Sequence, residues 1–376
     1  MLKNKFILLL LCAFLLLPSC TVSNQSSPPQ NNQTQAEEVK NEQVRAMWLS
    51  CYELSAMFKK GTREYFSDKI VEVFELCKNE EINTLFVQVR PFCDSLYPSE
   101  LFDWSEFSKS SSGSTPDFDP LEIIIDIADN YGVSVHAWFN PYRVSYDSSK
   151  EISKSIESFA LSCDEGVFLD PSSIQAQRFV LEGVREILEN YSVDGIHIDD
   201  YFYPQTKENF DENSYNEYRE NGGKLCKNNW RRENVNSLVS ALFSLVHSVR
   251  SEAVFSISPA GDIKKNKINH YADVELWCSR NGYADWVIPQ IYYGFEHETM
   301  PFEEAAGDWL KLAENCSVKL ICGLASYKQG QADKGAGSGE NEWIENADII
   351  IKQTEFVRDI GYDGYALFSY SAVKSK

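Results

Sequence analysis

Two adjacent acidic residues, Asp199 and Asp200, end a short apolar run that begins at residue 195. A pair of carboxyl groups supplies the proton donor and the base or nucleophile that acid–base catalysis requires. Because successive strand residues point to opposite faces, we expect Asp199 to face a pocket. Asp200 reaches that pocket only if the backbone turns there. Crowding two carboxyl groups raises the pKa of one of them, which suits a proton donor.

Side-chain parity places other polar residues on the same face as Asp199. The opposite parity is plainly aliphatic, which is typical of strand faces that pack beneath helices. Parallel barrel strands bring such polar side chains together at one mouth, so the pattern predicts a pocket. Any single member is equally well explained as a hydrogen-bonded structural group. The set comprises Gln88, Arg90, His136, Trp138, Asn140, His197, Asp199, Gln290 and Tyr292.

Short β-rich runs alternate with amphipathic stretches along most of the chain. This alternation indicates parallel strands with helical crossovers, and eight strands favour an α/β fold of the (β/α)8 TIM-barrel type over an open sheet. The long irregular segments follow strands, which places them at the face where barrel active sites are built. The predicted strands are 44–50, 84–90, 133–140, 195–200, 254–259, 286–292, 318–324 and 364–368, and the predicted helices are 66–77, 121–131, 174–191, 235–249, 302–315 and 347–360.

The first residues are typical of an export signal. Lys3 and Lys5 precede an apolar run over residues 6–17, which is shorter than the roughly 20 residues that span a bilayer. We therefore predict a signal peptide over 1–19. The Leu-Pro-Ser-Cys run ending at Cys20 resembles a bacterial lipobox and implies a lipid anchor at the cell envelope, outside the cytoplasm, with ordinary secretory cleavage as the alternative.

Polar residues dominate the stretch that follows. Residues 20–43 hold little that a core can bury, and we predict a lipidated N-terminus and disordered tether there, followed by a barrel domain over 44–376. The formal net charge of −21 opposes nucleic-acid binding. The oligomeric state is not indicated by the sequence.

The cysteines give no sign of a metal site. They form no CxxC pair, so a zinc site of that type has no support. Cys316 and Cys322 flank a predicted strand and lie too far apart to bridge. Most of the eight cysteines after Cys20 are expected to be buried thiols, with one or two bridges elsewhere left open. No cofactor is predicted, and no metal is assigned.

Five segments together resemble the glycosyl-hydrolase-like family 10 proteins, some of which are bacterial envelope lipoproteins. They read RAMW at 45–48, FVQVRPFCDSLYPS at 86–99, HAWFNPYR at 136–143, DGIHIDDYFYP at 194–204 and PQIYYG at 289–294. The resemblance implies a glycosidase-type barrel, a polysaccharide substrate and, from a characterised branch, the cutting of peptidoglycan glycan strands stripped of peptides. Because the sequence stops soon after residue 370, we expect something other than a full-length final helix to close the barrel.

Within that reading, glycoside hydrolysis assigns roles to the carboxyl groups. Asp199 is the candidate nucleophile or base, Asp200 the first candidate acid and Asp94, which lies in a matching family motif, the second. The separation of the two carboxyl groups would determine retention or inversion. Arg90 and Arg143 are candidates for binding a substrate carboxylate, with neutralisation of Asp94 or Asp199 as the alternative role. His136 and His197 are candidates for holding the catalytic carboxyl groups or donating to a sugar hydroxyl. The remaining candidate substrate-binding residues are Trp138, Tyr201, Tyr203 and Tyr292 for sugar faces, and Asn140 and Gln290 at the mouth.

Two other functions stay open at this point. His136, His197 and Asp199 resemble ligands of a divalent metal, as in a metal-dependent hydrolase or deacetylase, although no HxH or HExxH spacing accompanies them. A lipoprotein that binds glycan without cutting it is the other alternative.

Overall fold

The computed structural model describes residues 43–204, 210–314 and 316–375. Eight parallel strands form a closed barrel in the order β1-β11-β10-β9-β8-β7-β3-β2, which confirms the predicted fold class. The three remaining strands form a small antiparallel sheet in the order β4-β6-β5, within the long segment after β3. The strands are β1 Val44–Leu49, β2 Thr84–Arg90, β3 Ser134–Phe139, β4 Arg143–Ser145, β5 Ala160–Cys163, β6 Gly166–Leu169, β7 Gly195–Ile198, β8 Val254–Ile257, β9 Trp286–Val287, β10 Lys319–Leu324 and β11 Gly364–Leu367.

Helices cross over between the barrel strands. In the helix Arg63–Asn79, the buried residues Phe66, Ile70, Val73, Phe74 and Cys77 form the apolar face that their spacing predicts. The α-helices are α1 Cys51–Met57, α2 Arg63–Asn79, α3 Pro120–Tyr131, α4 Ile174–Asn190, α5 Glu212–Glu220, α6 Lys227–Val249, α7 Ile263–Lys265, α8 Val274–Ser279, α9 Phe302–Ala313, α10 Glu342–Glu345, α11 Ile349–Ile360 and α12 Tyr370–Lys374. Short 3₁₀ turns occupy Glu106–Ser108, Glu157–Phe159, Ser326–Lys328 and Gly337–Gly339, and Asn266–His270 form a π-helix.

Direct pairing of the first and last strands closes the barrel. Val44 pairs with Gly364 and Met47 with Leu367. A side chain at Gly364 would collide with the backbone of Val44, because a Cβ there would lie 2.0 Å from the Val44 carbonyl oxygen. Within the described residues only the five-residue α12 follows β11, and it packs against β1.

Side chains before four strands fix the N-terminal end of the barrel. Asp194, which precedes β7, accepts from the Val135 backbone N–H at 2.7 Å, and Asp285, which precedes β9, accepts from Phe255 at 2.7 Å. Asn83 and Asp363 do the same for Arg45 and Leu320. Backbone donors at this end are thereby satisfied, and strand register is held opposite the mouth.

The predicted strand over 286–292 is shorter in the structure. β9 ends at Val287, and Gln290 then forms only isolated bridges to Ala260 and Gly323. Pro289 lacks the N–H that a continuing ladder needs. The predicted helix over 235–249 instead begins at Lys227.

The structure tests the expectation for the cysteines but not the one for the N-terminal segment. The eight described cysteines are all unbridged, and Cys51, Cys77, Cys278 and Cys322 are buried. The predicted signal peptide, Cys20 and nearly all of the tether lie outside the described residues. Among the residues that the structure does describe, no helix has the length and apolar character needed to cross a bilayer.

Candidate active site

A cleft of about 270 Å³ opens at the C-terminal ends of the barrel strands. Of the residues predicted for the pocket or site, it is lined by Gln88, Trp138, Arg143, Asp199, Asp200, Tyr201, Gln290 and Tyr292. The polar parity is indeed that of the barrel interior, since Trp48, Phe86 and Trp138 form one small cluster inside the ring of strands. The predicted pocket therefore exists where the strand ends meet.

Asp199 lies in the wall of this cleft with a side chain that is only 3% exposed. Its Oδ2 accepts from Trp138 Nε1 at 2.9 Å and from Asn140 Nδ2 at 3.4 Å, and its Oδ1 accepts from the Tyr201 backbone N–H at 3.4 Å. Burial, with a contribution from the neighbouring Asp200 charge, raises the pKa of Asp199 to about 6, although Arg143 and the hydrogen bonds oppose that shift. The group can therefore change its protonation state close to neutrality.

Asp200 lines the same cleft although it is adjacent in sequence. β7 ends at Ile198 and the chain bends at Asp200, whose carbonyl oxygen accepts from the Phe202 N–H at 3.0 Å. That bend is the turn which the parity argument required before Asp200 could reach the pocket. Two carboxyl groups thus share one cleft, Asp199 buried and Asp200 half-buried.

Arg143 provides the positive charge beside Asp199. Its guanidinium stacks on the rings of Tyr201, Phe92 and Tyr146 at 3.9, 4.5 and 4.6 Å, and its Nη1 donates to the Tyr146 hydroxyl at 2.5 Å. The backbone N–H of Arg143 donates to Asn140 Oδ1 at 3.0 Å. Asn140 itself is fully buried behind Asp199 and does not line the cleft. Aromatic stacking therefore fixes the orientation of the guanidinium.

Arg90 does not face the mouth, contrary to the parity prediction. The pairing of β2 with β3 shifts between Gln88 and Arg90, so that Arg90 pairs with Phe139. This bulge turns the side chain to the outer face, where it lies between the rings of Phe102 and Phe139 and donates to the Asn140 carbonyl. Arg90 therefore supports the loop after β3 and is not placed to bind substrate.

The two predicted histidines lie inside the barrel below the cleft and do not line it. Trp48 Nε1 donates to His197 Nε2 at 3.0 Å, while His197 Nδ1 lies 2.9 Å from Ser256 Oγ. Burial lowers the pKa of His136 to about 3 and that of His197 well below its ordinary value, so both are neutral. They are structural groups, and no cluster of metal-binding side chains occurs among the described residues.

Tyr203 and Asp94 also lie apart from the carboxyl pair. Tyr203 is buried against Phe210 and Tyr271. Asp94 is half-buried and accepts from the Phe92 N–H at 3.1 Å. Burial raises the pKa of Asp94, but the residue does not line the cleft.

Comparison with known proteins identifies the family. A sequence profile described as Glycosyl hydrolase-like 10 matches residues 43–343. The chain belongs to this family.

Relatives of this Glycosyl hydrolase-like 10 member include proteins from two bacteria. Glycosyl hydrolase DigH of Escherichia coli O6:H1 is 30% identical over 302 residues, which is 71% of this chain and 66% of that protein. Glycosyl hydrolase YngK of Bacillus subtilis is 27% identical over 346 residues, which is 84% of this chain and 67% of that protein. The chain thus spans about two thirds of the length of these relatives.

A solved structure shares the barrel of this Glycosyl hydrolase-like 10 member. The glycoside hydrolase domain of PgaB from Bordetella bronchiseptica superposes with a TM-score of 0.58 at 12% identity, covering 89% of this chain and 95% of that domain. At this identity the likeness concerns the fold alone.

Several residues that line the cleft were not predicted from the sequence. Trp48, Ser258 and Phe368 have the inward parity of β1, β8 and β11, so strand parity could have predicted them. Four more come from loops or short helices, where no periodicity marks them: Ser50, Tyr52, Tyr146 and Tyr327.

The pKa of Asp199 predicts the pH profile of this family member. If Asp199 acts as the ionised base or nucleophile, kcat/KM falls as pH drops through about 6. Trp138→Phe removes a hydrogen bond to the charged form and is expected to move this limb up by about one pH unit. Steady-state kinetics across pH measure it, with Trp104→Phe as the control. A profile that instead falls as pH rises through 6 would assign Asp199 the role of acid.

Proposed function

We propose that this protein is a glycoside hydrolase that cuts a cell-envelope glycan, namely peptidoglycan glycan strands lacking peptides. The observation that carries the proposal is the placement of Asp199 and Asp200 in one cleft at the C-terminal mouth of the barrel. Family membership supports the reaction type. The choice of substrate is supported by the resemblance in the sequence and by the export signal predicted at the N-terminus.

The two carboxyl groups divide the reaction between them. Asp200, on the more exposed side, donates a proton to the glycosidic oxygen as the bond to the anomeric carbon breaks. Asp199, ionised above about pH 6, either removes a proton from the attacking water or attacks that carbon itself. In the second case a water molecule, deprotonated by Asp200, then breaks the bond between Asp199 and the sugar. One water molecule is consumed. A carboxyl separation of about 5–5.5 Å in the substrate complex gives retention, and about 6.5–9.5 Å gives inversion.

The cleft wall supplies groups for binding a sugar. Trp138, Tyr201 and Tyr292 line the cleft with aromatic rings. Arg143 provides the guanidinium for a substrate carboxylate, which a muramic acid unit without its peptide presents. Stripped glycan carries this carboxylate free at every such unit, so the proposed substrate offers a partner for Arg143.

A comparison of substrates tests the proposal. The purified full chain is incubated with intact peptidoglycan, with peptide-stripped strands and with an unrelated polysaccharide, and the products are analysed by mass spectrometry. We expect new saccharide ends from the stripped strands. Cleavage of the unrelated polysaccharide alone would overturn the assignment of peptidoglycan strands as the substrate. Binding of glycan without any cleavage would favour a glycan-binding protein.

The envelope location is part of the same proposal. It is supported by the basic residues, the apolar run and the lipobox-like segment that ends at Cys20. In a bacterial host, labelled palmitate is expected to enter the wild-type chain, and Cys20→Ser is expected to abolish labelling and release the protein from membranes. Equal membrane recovery of both forms would contradict a lipid anchor.

A further inference from the structure

We infer that a second groove, on the far side of Tyr327 from the carboxyl pair, is a distal sugar subsite for the same glycan. This inference rests on the proposed function and extends it, because it assigns the enzyme a substrate that reaches well beyond the cleaved bond. The groove has a volume of about 500 Å³. It lies between the turn after β10, the segment around α10 and the start of α12.

Tyr327 joins the groove to the cleft. This residue lines both cavities and is 41% exposed. Its ring meets Tyr292 and Phe368 edge-on at 6.0 and 6.1 Å, and both of those residues line the cleft. A glycan that occupies the cleft therefore continues over Tyr327 into the groove without leaving the protein surface.

The groove carries buried acceptors that the described residues do not satisfy. Ser326 is 2% exposed, and its Oγ has no hydrogen-bond partner. Gln329 Nε2 donates to the Ala347 carbonyl at 2.8 Å, whereas Gln329 Oε1 at the other end of the amide has no partner. Buried polar atoms are normally paired, and a side-chain rotation that turns either atom into the groove would pair it with a hydroxyl group of the ligand. Ile344, 52% exposed at the rim, adds an apolar surface for a sugar ring.

Hydrogen bonds hold the groove in place. Lys328 Nζ donates to the Tyr292 carbonyl at 2.8 Å and to Asp333 at 2.6 Å. The Gly330 N–H donates to the Trp343 carbonyl at 2.8 Å, and Gln331 Nε2 donates to the Tyr327 carbonyl at 3.0 Å. A wall fixed in this way loses little freedom on binding, which favours affinity.

The cleft is smaller than the groove, which suggests that the groove binds the part of the glycan that lies away from the cleaved bond. At about 270 Å³ the cleft lies below the roughly 300–1,000 Å³ of pockets for drug-sized ligands, whereas the groove lies within that range. Contacts away from the reacting bond can supply energy for orienting and distorting the sugar at that bond. A long glycan would then be cut more efficiently than a short fragment.

Two variants test the subsite. Ile344→Ala and Gln329→Met are compared with wild type on tetrasaccharide and long-strand preparations of peptide-stripped glycan. We expect each variant to lower kcat/KM for the long strands by about tenfold and to leave the tetrasaccharide value unchanged. The matched control is Ile351→Ala, which removes an isoleucine of similar exposure, 59%, from α11, outside both cavities.

The possible results separate this subsite from the proposed function. If both variants keep the wild-type ratio of long-strand to tetrasaccharide kcat/KM, the subsite is wrong and the proposed function stands. If the wild-type chain cuts neither glycan, the proposed function fails, and direct binding of the same two preparations decides the subsite. Long strands that bind more tightly than tetrasaccharide, with the preference lost in Ile344→Ala, would support it. Binding without a length preference, or no binding, would overturn it.

Discussion

Asp199→Asn is expected to lower glycan turnover by about 10²–10⁴-fold, because an amide can act neither as nucleophile nor as base. Asparagine retains an oxygen that accepts from Trp138 Nε1, so the cleft should keep its shape and its affinity for glycan. Turnover by product analysis and affinity by direct binding measure the two effects. Asp308→Asn, which changes an exposed carboxylate on α9, is the control. Full activity in Asp199→Asn would remove Asp199 from the mechanism.

The same substitution has a second expected consequence, for stability. Burial raises the pKa of Asp199 from 3.8 to about 6, so the folded chain binds this proton more tightly than the unfolded chain. The free energy of unfolding therefore falls as pH rises from about 4 to about 6, by roughly 3 kcal/mol for a shift of this size. Asp199→Asn removes this cost, so urea unfolding should show the variant gaining stability relative to wild type at pH 8 compared with pH 4. An equal difference at both pH values would contradict the buried carboxylate.

Asp200→Asn is the second substitution with a large expected effect. Loss of the proton donor should lower kcat on the natural glycan by about 10²–10⁴-fold. An aryl glycoside with an acidic phenol as leaving group needs little protonation, so its cleavage should fall far less.

Asp94→Asn is the comparison that makes this test decisive. Asp94 is half-buried and does not line the cleft, so its replacement is expected to leave the cleavage rates of the natural glycan and of the aryl glycoside nearly unchanged. A large loss of activity in Asp94→Asn together with near-normal activity in Asp200→Asn would make Asp94, and not Asp200, the candidate proton donor.

The alternation of strands and helices predicted the barrel, and side-chain parity within the strands predicted the cleft. The alternation correctly placed Asp199 at the mouth, since successive residues of a regular strand point to opposite faces. The same rule failed for Arg90, because a bulge between Gln88 and Arg90 reverses the face of the side chain. A bulge is fixed by contacts with the neighbouring strand and leaves little trace in the strand's own residues.

The sequence also did not indicate how deep an inward-facing side chain lies within the barrel. His136 and His197 share the parity of Asp199, yet both lie below the cleft, where burial keeps them neutral. Tyr52, Tyr146 and Tyr327 reach the cleft from α1, the end of β4 and a 3₁₀ turn. Such positions depend on how loops pack over the strands, and no periodic pattern in the sequence marks them.

The most direct test of the account is hydrolysis in water enriched in heavy oxygen. The full chain and its Asp199→Asn variant are each incubated with peptide-stripped glycan strands, and new reducing ends are examined by mass spectrometry. If Asp199 catalyses hydrolysis, wild type produces new ends carrying one heavy oxygen at the anomeric carbon, and the variant produces almost none. New ends without heavy oxygen, or equal production by both forms, would contradict hydrolysis at the Asp199 cleft.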